Sequence, residues 1–134
     1  MASPLSLPIF AALATLCLTA TAFAGASPTG NAVKGKEIFS AQCASCHAAA
    51  AGQNGIGPSL YDVYGEPAAH TAGFQFSPAL KEAHIVWTSA ALNKFITNPQ
   101  ADVPGTKMPY MGLANGQKRA DVIAYLATLG DKDH

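Results

Sequence analysis

The chain has 134 residues, and its eight basic and eight acidic side chains leave it with no formal net charge at pH 7. A chain of this length is expected to form one small domain with a modest core. The charge balance excludes a strongly basic nucleic-acid-binding surface, and no polybasic run is present that would bind an anionic membrane.

The first 24 residues are typical of a secretory signal peptide. The apolar stretch over residues 5–23 carries no charged side chain, and Ala-Phe-Ala at residues 22–24 is followed by glycine. Small residues at this spacing predict cleavage after Ala24, which removes Cys17 and leaves no stable membrane insertion. An uncleaved anchor is the alternative, because residues 1–8 contain no Lys or Arg. Prolines and many Ala and Thr residues make the segment less apolar than a spanning helix requires.

A flexible lead-in over residues 25–30 (GASPTG) precedes the predicted domain, which runs over residues 31–134. The first helix is expected from about Asn31 to Cys46, with Asn31 as its N-cap. Its supporting side chains recur at near-helical spacing. They are Val33, Ile38, Phe39 and Gln42.

The most informative motif follows at residues 43–47, which read CASCH. Two thiols at this spacing, with a histidine directly after the second, are typical of a c-type haem attachment site. Cys43 and Cys46 each form a thioether with a haem vinyl group, and His47 then lies beneath the ring as the proximal iron ligand. The motif predicts one haem c, covalently bound through both cysteines. Attachment of haem outside the cytoplasm agrees with export, which in a bacterium means the periplasm. A compartment like the mitochondrial intermembrane space is less favoured.

Two other uses of paired cysteines are the alternatives to haem. A thioredoxin-like redox pair expects alternating strands and helices around the motif, and the sequence shows no convincing strand. A structural zinc site expects four Cys or His ligands in close pairs, whereas the remaining histidines are scattered. They are His70, His84 and His134.

Two more helices are predicted between long loops. Residues 48–60 are rich in Ala and Gly, and residues 61–76 show no clean period. A helix is expected over residues 88–98, capped by Thr88 or Ser89 and stopped by Pro99. The last helix is expected over residues 116–129, with an apolar stripe and Gly130 as its stop. The predicted fold is all-α, with about three main helices and long loops that wrap around one haem.

A second functional loop is expected over residues 104–111 (PGTKMPYM). After cleavage of the leader, Met108 and Met111 are the remaining methionines. Met and His together are the axial pair of cytochromes c, and flanking prolines would restrict the loop that carries such a weak thioether ligand. The residues themselves predict a methionine as the sixth ligand of the iron.

At this point the chain resembles the class I c-type cytochromes, in particular mitochondrial cytochrome c and soluble bacterial periplasmic cytochromes c. The resemblance covers nearly all of the chain after the leader. It rests on the haem pentad, on Gly-Pro-Ser-Leu at residues 57–60, on Asn-Pro at 98–99 and on Pro-Gly-Thr-Lys-Met at 104–108. Four single residues also match, namely Gly35, Phe39, Trp87 and Tyr125.

The resemblance assigns the iron ligand to Met108 and not to Met111. It also implies that the carbonyl group of Pro58 accepts a hydrogen bond from the ring of His47, and that Trp87 lies near a haem propionate. The chain differs from the family at three positions near the propionates and the methionine ligand. Mitochondrial relatives have arginine, tyrosine and tyrosine where this chain has Glu66, Phe76 and Phe95. Only Trp87 and Ser77 therefore carry over as propionate partners.

The function that the resemblance implies is one-electron transfer, without enzymatic activity. Iron bound by both His47 and Met108 has no open position for a substrate. Redox proteins are the expected partners, docking transiently at the exposed haem edge of a monomer. A dedicated haem subunit of a periplasmic dehydrogenase or oxidase is the first alternative. A gas-binding haem protein, in which Met108 is absent from the iron or easily displaced, is the second.

Overall fold

The computed structural model describes residues 29–131 and contains five α-helices in that range. They are α1 (Ala32–Gln42), α2 (Pro78–Glu82), α3 (Ser89–Thr97), α4 (Pro99–Asp102) and α5 (Gly116–Leu126). Between residues 29 and 131 the only strand-like pairing is an isolated antiparallel bridge between Pro67 and Val86. The predicted all-α fold is confirmed. The predicted signal peptide over residues 1–24 and Cys17 lie outside the described residues.

Each of the three longer helices begins at a side-chain cap. An Asn or Thr oxygen accepts the backbone N–H three residues further on, which satisfies one of the unpaired donors at a helix start. The pairs are Asn31 with Lys34 at 3.0 Å, Thr88 with Ala91 at 3.2 Å and Asn115 with Lys118 at 2.9 Å. The caps predicted at Asn31 and Thr88 are confirmed.

Several predicted helix ends are wrong. The first helix ends at Gln42 and not at Cys46, because the N–H groups of Cys43 and Ala44 both bond to the carbonyl oxygen of Phe39 and close the last turn. The last helix ends at Leu126 and not at residue 129, because a turn begins directly after Leu126. Val33, whose spacing supported the first helix, lies in that helix with its side chain 74% exposed.

Pro99 separates two helices and does not simply end one. Asn98 has an extended backbone with φ −161°, and its side chain caps Ala101, so a new helix starts at the proline. Proline suits the first helical position because that N–H has no partner inside the helix. The five-residue helix α2, capped by Ser77, was not predicted.

Helices α1 and α5 cross at very close range. A Cβ atom on Gly35 would overlap the carbonyl oxygen of Asp121, so only glycine fits at the crossing. One turn later the rings of Phe39 and Tyr125 pack with centroids 5.4 Å apart. Helix α3 also packs against α5. The crossing fixes α1 just before the CASCH turn, and so it fixes where that turn lies.

No helix within residues 29–131 combines the length and the hydropathy needed to span a bilayer.

Candidate haem site

A cavity of about 570 Å³ lies inside the loops and helices, within the range of small-molecule and cofactor sites. Its walls come from segments that are far apart in the chain. The residues from the haem motif are Cys43, Cys46 and His47, and those from the methionine loop are Lys107, Met108, Pro109 and Tyr110. The deeper wall is apolar, and it includes Leu80, Leu92, Phe95, Val122 and Leu126.

The CASCH residues form a tight turn directly after α1. The N–H groups of Cys46 and His47 both bond to the carbonyl oxygen of Cys43, at 3.1 and 3.0 Å. This turn brings both thiols to the cavity wall. Burial, and to a smaller extent the charge of the nearby Cys46 thiol, raises the pKa of the Cys43 thiol to about 11. A thioredoxin-like pair needs the opposite, a thiol pKa lowered to favour the thiolate.

The backbone around residues 57–58 holds the ring of His47 on two sides. Its Nδ1 atom lies 2.7 Å from the carbonyl oxygen of Pro58, which is the hydrogen bond that the resemblance implied. A Cβ atom on Gly57 would overlap the imidazole, so the chain can pass this close only as glycine. With Nδ1 bonded to the carbonyl, Nε2 remains for a metal.

Burial lowers the pKa of His47, and the hydrogen bond to Pro58 opposes this effect in part. The lowered pKa favours the neutral imidazole at neutral pH, and only the neutral ring can bind a metal. The geometry and the charge state of His47 therefore both suit an iron ligand.

The structure distinguishes the two methionines of the loop. Met108 is half-buried and lines the cavity, whereas the side chain of Met111 is 89% exposed. The end of the loop is fixed on α3, because the N–H of Leu113 bonds to the carbonyl oxygen of Ile96 at 2.9 Å. A Cβ atom on Gly112, which has φ +102°, would overlap the carbonyl oxygen of Thr97. This arrangement favours Met108 as the methionine that reaches the cavity.

The predicted propionate partners both line the cavity, and each has a second role. The Trp87 side chain is 6% exposed and packs on Phe95, with ring centroids 5.0 Å apart. The Ser77 hydroxyl oxygen accepts the N–H of Leu80 as the cap of α2, at 3.2 Å, which leaves its hydrogen able to donate. Phe76 lines the wall in contact with Phe74, 4.9 Å between ring centroids.

Sequence reasoning missed two contributions to the site. Gly57 appeared only as part of the Gly-Pro-Ser-Leu motif, although its lack of a side chain is what admits the His47 ring. Tyr110 and Gln42 both line the cavity, and the tyrosine hydroxyl donates to the amide oxygen at 3.3 Å. Nothing in the sequence pairs these two residues, because they belong to segments that meet only in the folded chain.

Comparison with known proteins agrees with this site. The family model for cytochrome c matches residues 32–130, most of the chain. The chain belongs to the cytochrome c family. It is a class I c-type cytochrome that carries one haem c, attached through Cys43 and Cys46, and transfers electrons.

Individual relatives support the assignment over nearly their whole length. The chain is 48% identical to a cytochrome c2 of Rhodopila globiformis, over 78% of this chain and 99% of the relative. It is 44% identical to a cytochrome c of Euglena viridis, over 76% of this chain and 100% of the relative. Among solved structures, cytochrome cH from Methylobacterium extorquens superposes with a TM-score of 0.69 at 39% identity, covering 74% of this chain and 99% of the other.

The residues present in this cytochrome fit a haem. A large cavity with an apolar deeper wall suits the porphyrin, and both attachment cysteines, a histidine and a methionine line that same cavity. The haem iron supplies a reversible one-electron couple. The polypeptide supplies the two attachment cysteines and the apolar wall of the cavity.

Proposed function

We propose that this cytochrome is a one-electron carrier whose haem iron is bound by His47 and Met108, and that it acts between periplasmic or membrane-bound redox partners. The observation that carries the proposal is that His47 and Met108 line the same cavity as the two attachment cysteines. Two protein ligands complete the coordination of the iron and leave no position for a substrate. The protein is therefore a carrier and not an enzyme.

The groups around the iron site have distinct tasks in this proposal. Pro58 and Gly57 orient the ring of His47, as the 2.7 Å contact and the close glycine approach require. The apolar wall keeps water from the iron, which limits reorganisation when the charge changes. Trp87 and Ser77 line the cavity and are proposed to donate hydrogen bonds to the propionates.

Partners are proposed to dock transiently where the cavity opens beside Cys46 and the methionine loop. Ile56 lines the cavity and is 77% exposed, so an apolar contact is available there. Lys107 is also exposed and is the one lysine among the cavity-lining residues. With a neutral polypeptide, we expect weaker electrostatic steering than in a strongly basic cytochrome. We propose that the carrier is a monomer.

The proposed ligands are tested by visible spectroscopy of protein made in a host that attaches c-type haem. We expect the sharp reduced bands of low-spin haem and the weak red band of ferric iron bound to methionine. The red band should vanish in Met108→Ala and persist in Met111→Ala, the matched control. A high-spin spectrum, or a wild type without the red band, would contradict the proposal and favour a gas-binding protein.

Export and cleavage after Ala24 are a separate part of the proposal, supported by the small residues at positions 22–24. Intact mass spectrometry of the haem protein from the periplasmic fraction is the test. We expect a chain that begins at Gly25 and carries one haem. A full-length chain in the membrane fraction would show that the leader is kept as an anchor.

A further inference from the structure

The side chain of Gln100 contacts the methionine loop at two backbone positions. Its amide nitrogen Nε2 donates to the carbonyl oxygen of Thr106 at 2.9 Å and to the carbonyl oxygen of Met108 at 3.0 Å. A side-chain amide nitrogen carries two hydrogens, so these contacts use both of its donors. One of the two carbonyl groups belongs to the proposed iron ligand itself.

The backbone that carries Gln100 is well fixed. Pro99 is one of the most buried side chains of the described residues, and Val103 at the other end of α4 is only 4% exposed. The Asn98 side chain caps the helix at the N–H of Ala101, 3.1 Å away. Asp102 pairs with Lys94 of α3 at 2.6 Å. Gln100 therefore reaches the loop from a short helix that is anchored at both ends.

Besides the bonds from Gln100, the loop between residues 104 and 111 has few anchors, chiefly the N–H of Thr106 on the carbonyl oxygen of Val103 at 3.0 Å and the hydroxyl of Tyr110 on Gln42 at 3.3 Å. Thr106 is buried, and its hydroxyl oxygen lies 3.4 Å from the N–H of Met108, a long contact. No helix or strand pairs the backbone of these residues. The two bonds from Gln100 are thus major constraints on where the Met108 backbone lies.

We propose that Gln100 is a positioning residue for Met108, holding the loop backbone so that the thioether stays at the iron. This inference rests on the proposed ligation by Met108. A thioether is a weak ligand, so its binding depends on how far the backbone already favours the bound position. When the loop opens, both bonds to Gln100 are exchanged for water. Removing them therefore raises the population of the open loop.

The test measures how readily an added ligand replaces Met108. Ferric haem protein is titrated with imidazole, followed by loss of the red band, for wild type, Gln100→Ala and Gln100→Glu. An ordinary hydrogen bond contributes a few-fold to tenfold in an equilibrium, so we expect imidazole to bind roughly threefold to tenfold more tightly in both variants. The matched control is Gln53→Glu, the same charge change at an exposed loop residue, which should match wild type.

A second measurement reports on the loop without using the iron. Trypsin cleavage of the native haem protein between Lys107 and Met108, followed by mass spectrometry, should be faster in both Gln100 variants. Cleavage after Lys36 in α1 gives the internal reference. Unchanged imidazole affinity and unchanged cleavage, in a wild type that shows the red band, would overturn the role of Gln100 alone. A wild type without that band would instead refute the ligation by Met108.

Discussion

The carboxylate of Asp121 accepts a hydrogen bond from the backbone N–H of Asn31 at 2.8 Å and so joins the start of α1 to α5. The same oxygen accepts a second bond from the Gln117 side chain at 2.9 Å. Asp121 is only 4% exposed. The bond from Asn31, the bond from Gln117 and the charge of Lys34 lower the pKa of this carboxyl group against the opposing effect of burial.

A lowered pKa makes the contribution of Asp121 to stability depend on pH. The contribution is complete above the unfolded-state pKa of about 3.9 and is lost as the pH falls through the lower folded-state pKa. We expect Asp121→Asn to be less stable than wild type at pH 7, with a difference that narrows below about pH 4. Urea unfolding at pH 7, 5, 4 and 3 measures it. Glu82→Gln, which removes an exposed carboxylate from α2, is the control, and a pH-independent difference for Asp121→Asn would contradict the linkage.

The close crossing of α1 and α5 predicts a steric effect at Gly35. An added Cβ atom would overlap the backbone carbonyl oxygen of Asp121 and lie 2.8 Å from the Cβ atom of Tyr125, and neither can move without shifting a helix. We expect Gly35→Ala to cost about 3 kcal/mol or more, at the upper end of overpacking effects. Denaturant unfolding of the haem protein measures it.

Gly116→Ala is the matched control for this substitution. There the nearest atom to an added Cβ is the end of the flexible Arg119 side chain, at 3.4 Å. Alanine is also the better helix former, so this variant should be neutral or slightly more stable. Equal losses in the two variants would show that the cost reflects glycine replacement in general and not the helix crossing.

Gly57 is expected to control the orientation of His47. A Cβ atom on Gly57 would overlap the imidazole, so Gly57→Ala must turn the ring or lengthen its contact with Pro58. We expect a weakened bond to iron, seen as a growing high-spin fraction in the visible spectrum. Gly55→Ala is the graded control, because its Cβ atom would lie 3.2 Å from the carbonyl oxygen of Cys46 and needs only a small shift. Identical low-spin spectra for both variants would contradict the proposed constraint.

Replacement of Phe95 by tyrosine is expected to raise the reduction potential of the haem. Phe95 and Met108 line the same cavity, and a phenylalanine offers no hydroxyl group to the thioether sulphur. A tyrosine there would donate a hydrogen bond, make the sulphur a poorer donor to ferric iron and raise the potential. A bond of about 1 kcal/mol corresponds to roughly 40 mV for one electron. Redox titration compares Phe95→Tyr with wild type, and an equal or lower potential in the variant would refute the argument.

The helix starts were predictable because they depend on residues only three positions apart. Asn31 and Thr88 cap helices with their own side chains, and any chain with those residues in that order can form the same bonds. Helix ends were less predictable. The first helix ends at Gln42 because the turn through Cys43 and Ala44 closes on Phe39, and apolar periodicity continues past that point in the sequence.

The choice between the two methionines likewise could not be made from neighbouring residues and depended on the folded chain. Both lie in one loop with prolines nearby, and the residues alone could not rank them. The resemblance favoured Met108, and the structure shows why the two differ. Met108 lines the cavity, whereas Met111 points outward just before Gly112 turns the chain against Thr97.

The sequence by itself determined the cofactor, since haem attachment needs two thiols and a histidine within five consecutive residues, and such short-range chemistry is written directly in the chain. Tertiary structure decided the surroundings of that cofactor. It placed the ring of His47 against Gly57 and Pro58, and it brought Gln100 within hydrogen-bond distance of the methionine loop. It also set the close crossing of α1 and α5 at Gly35 and Asp121. These contacts join residues that pattern and spacing do not connect. They form only because burial of the apolar core brings distant segments to fixed positions.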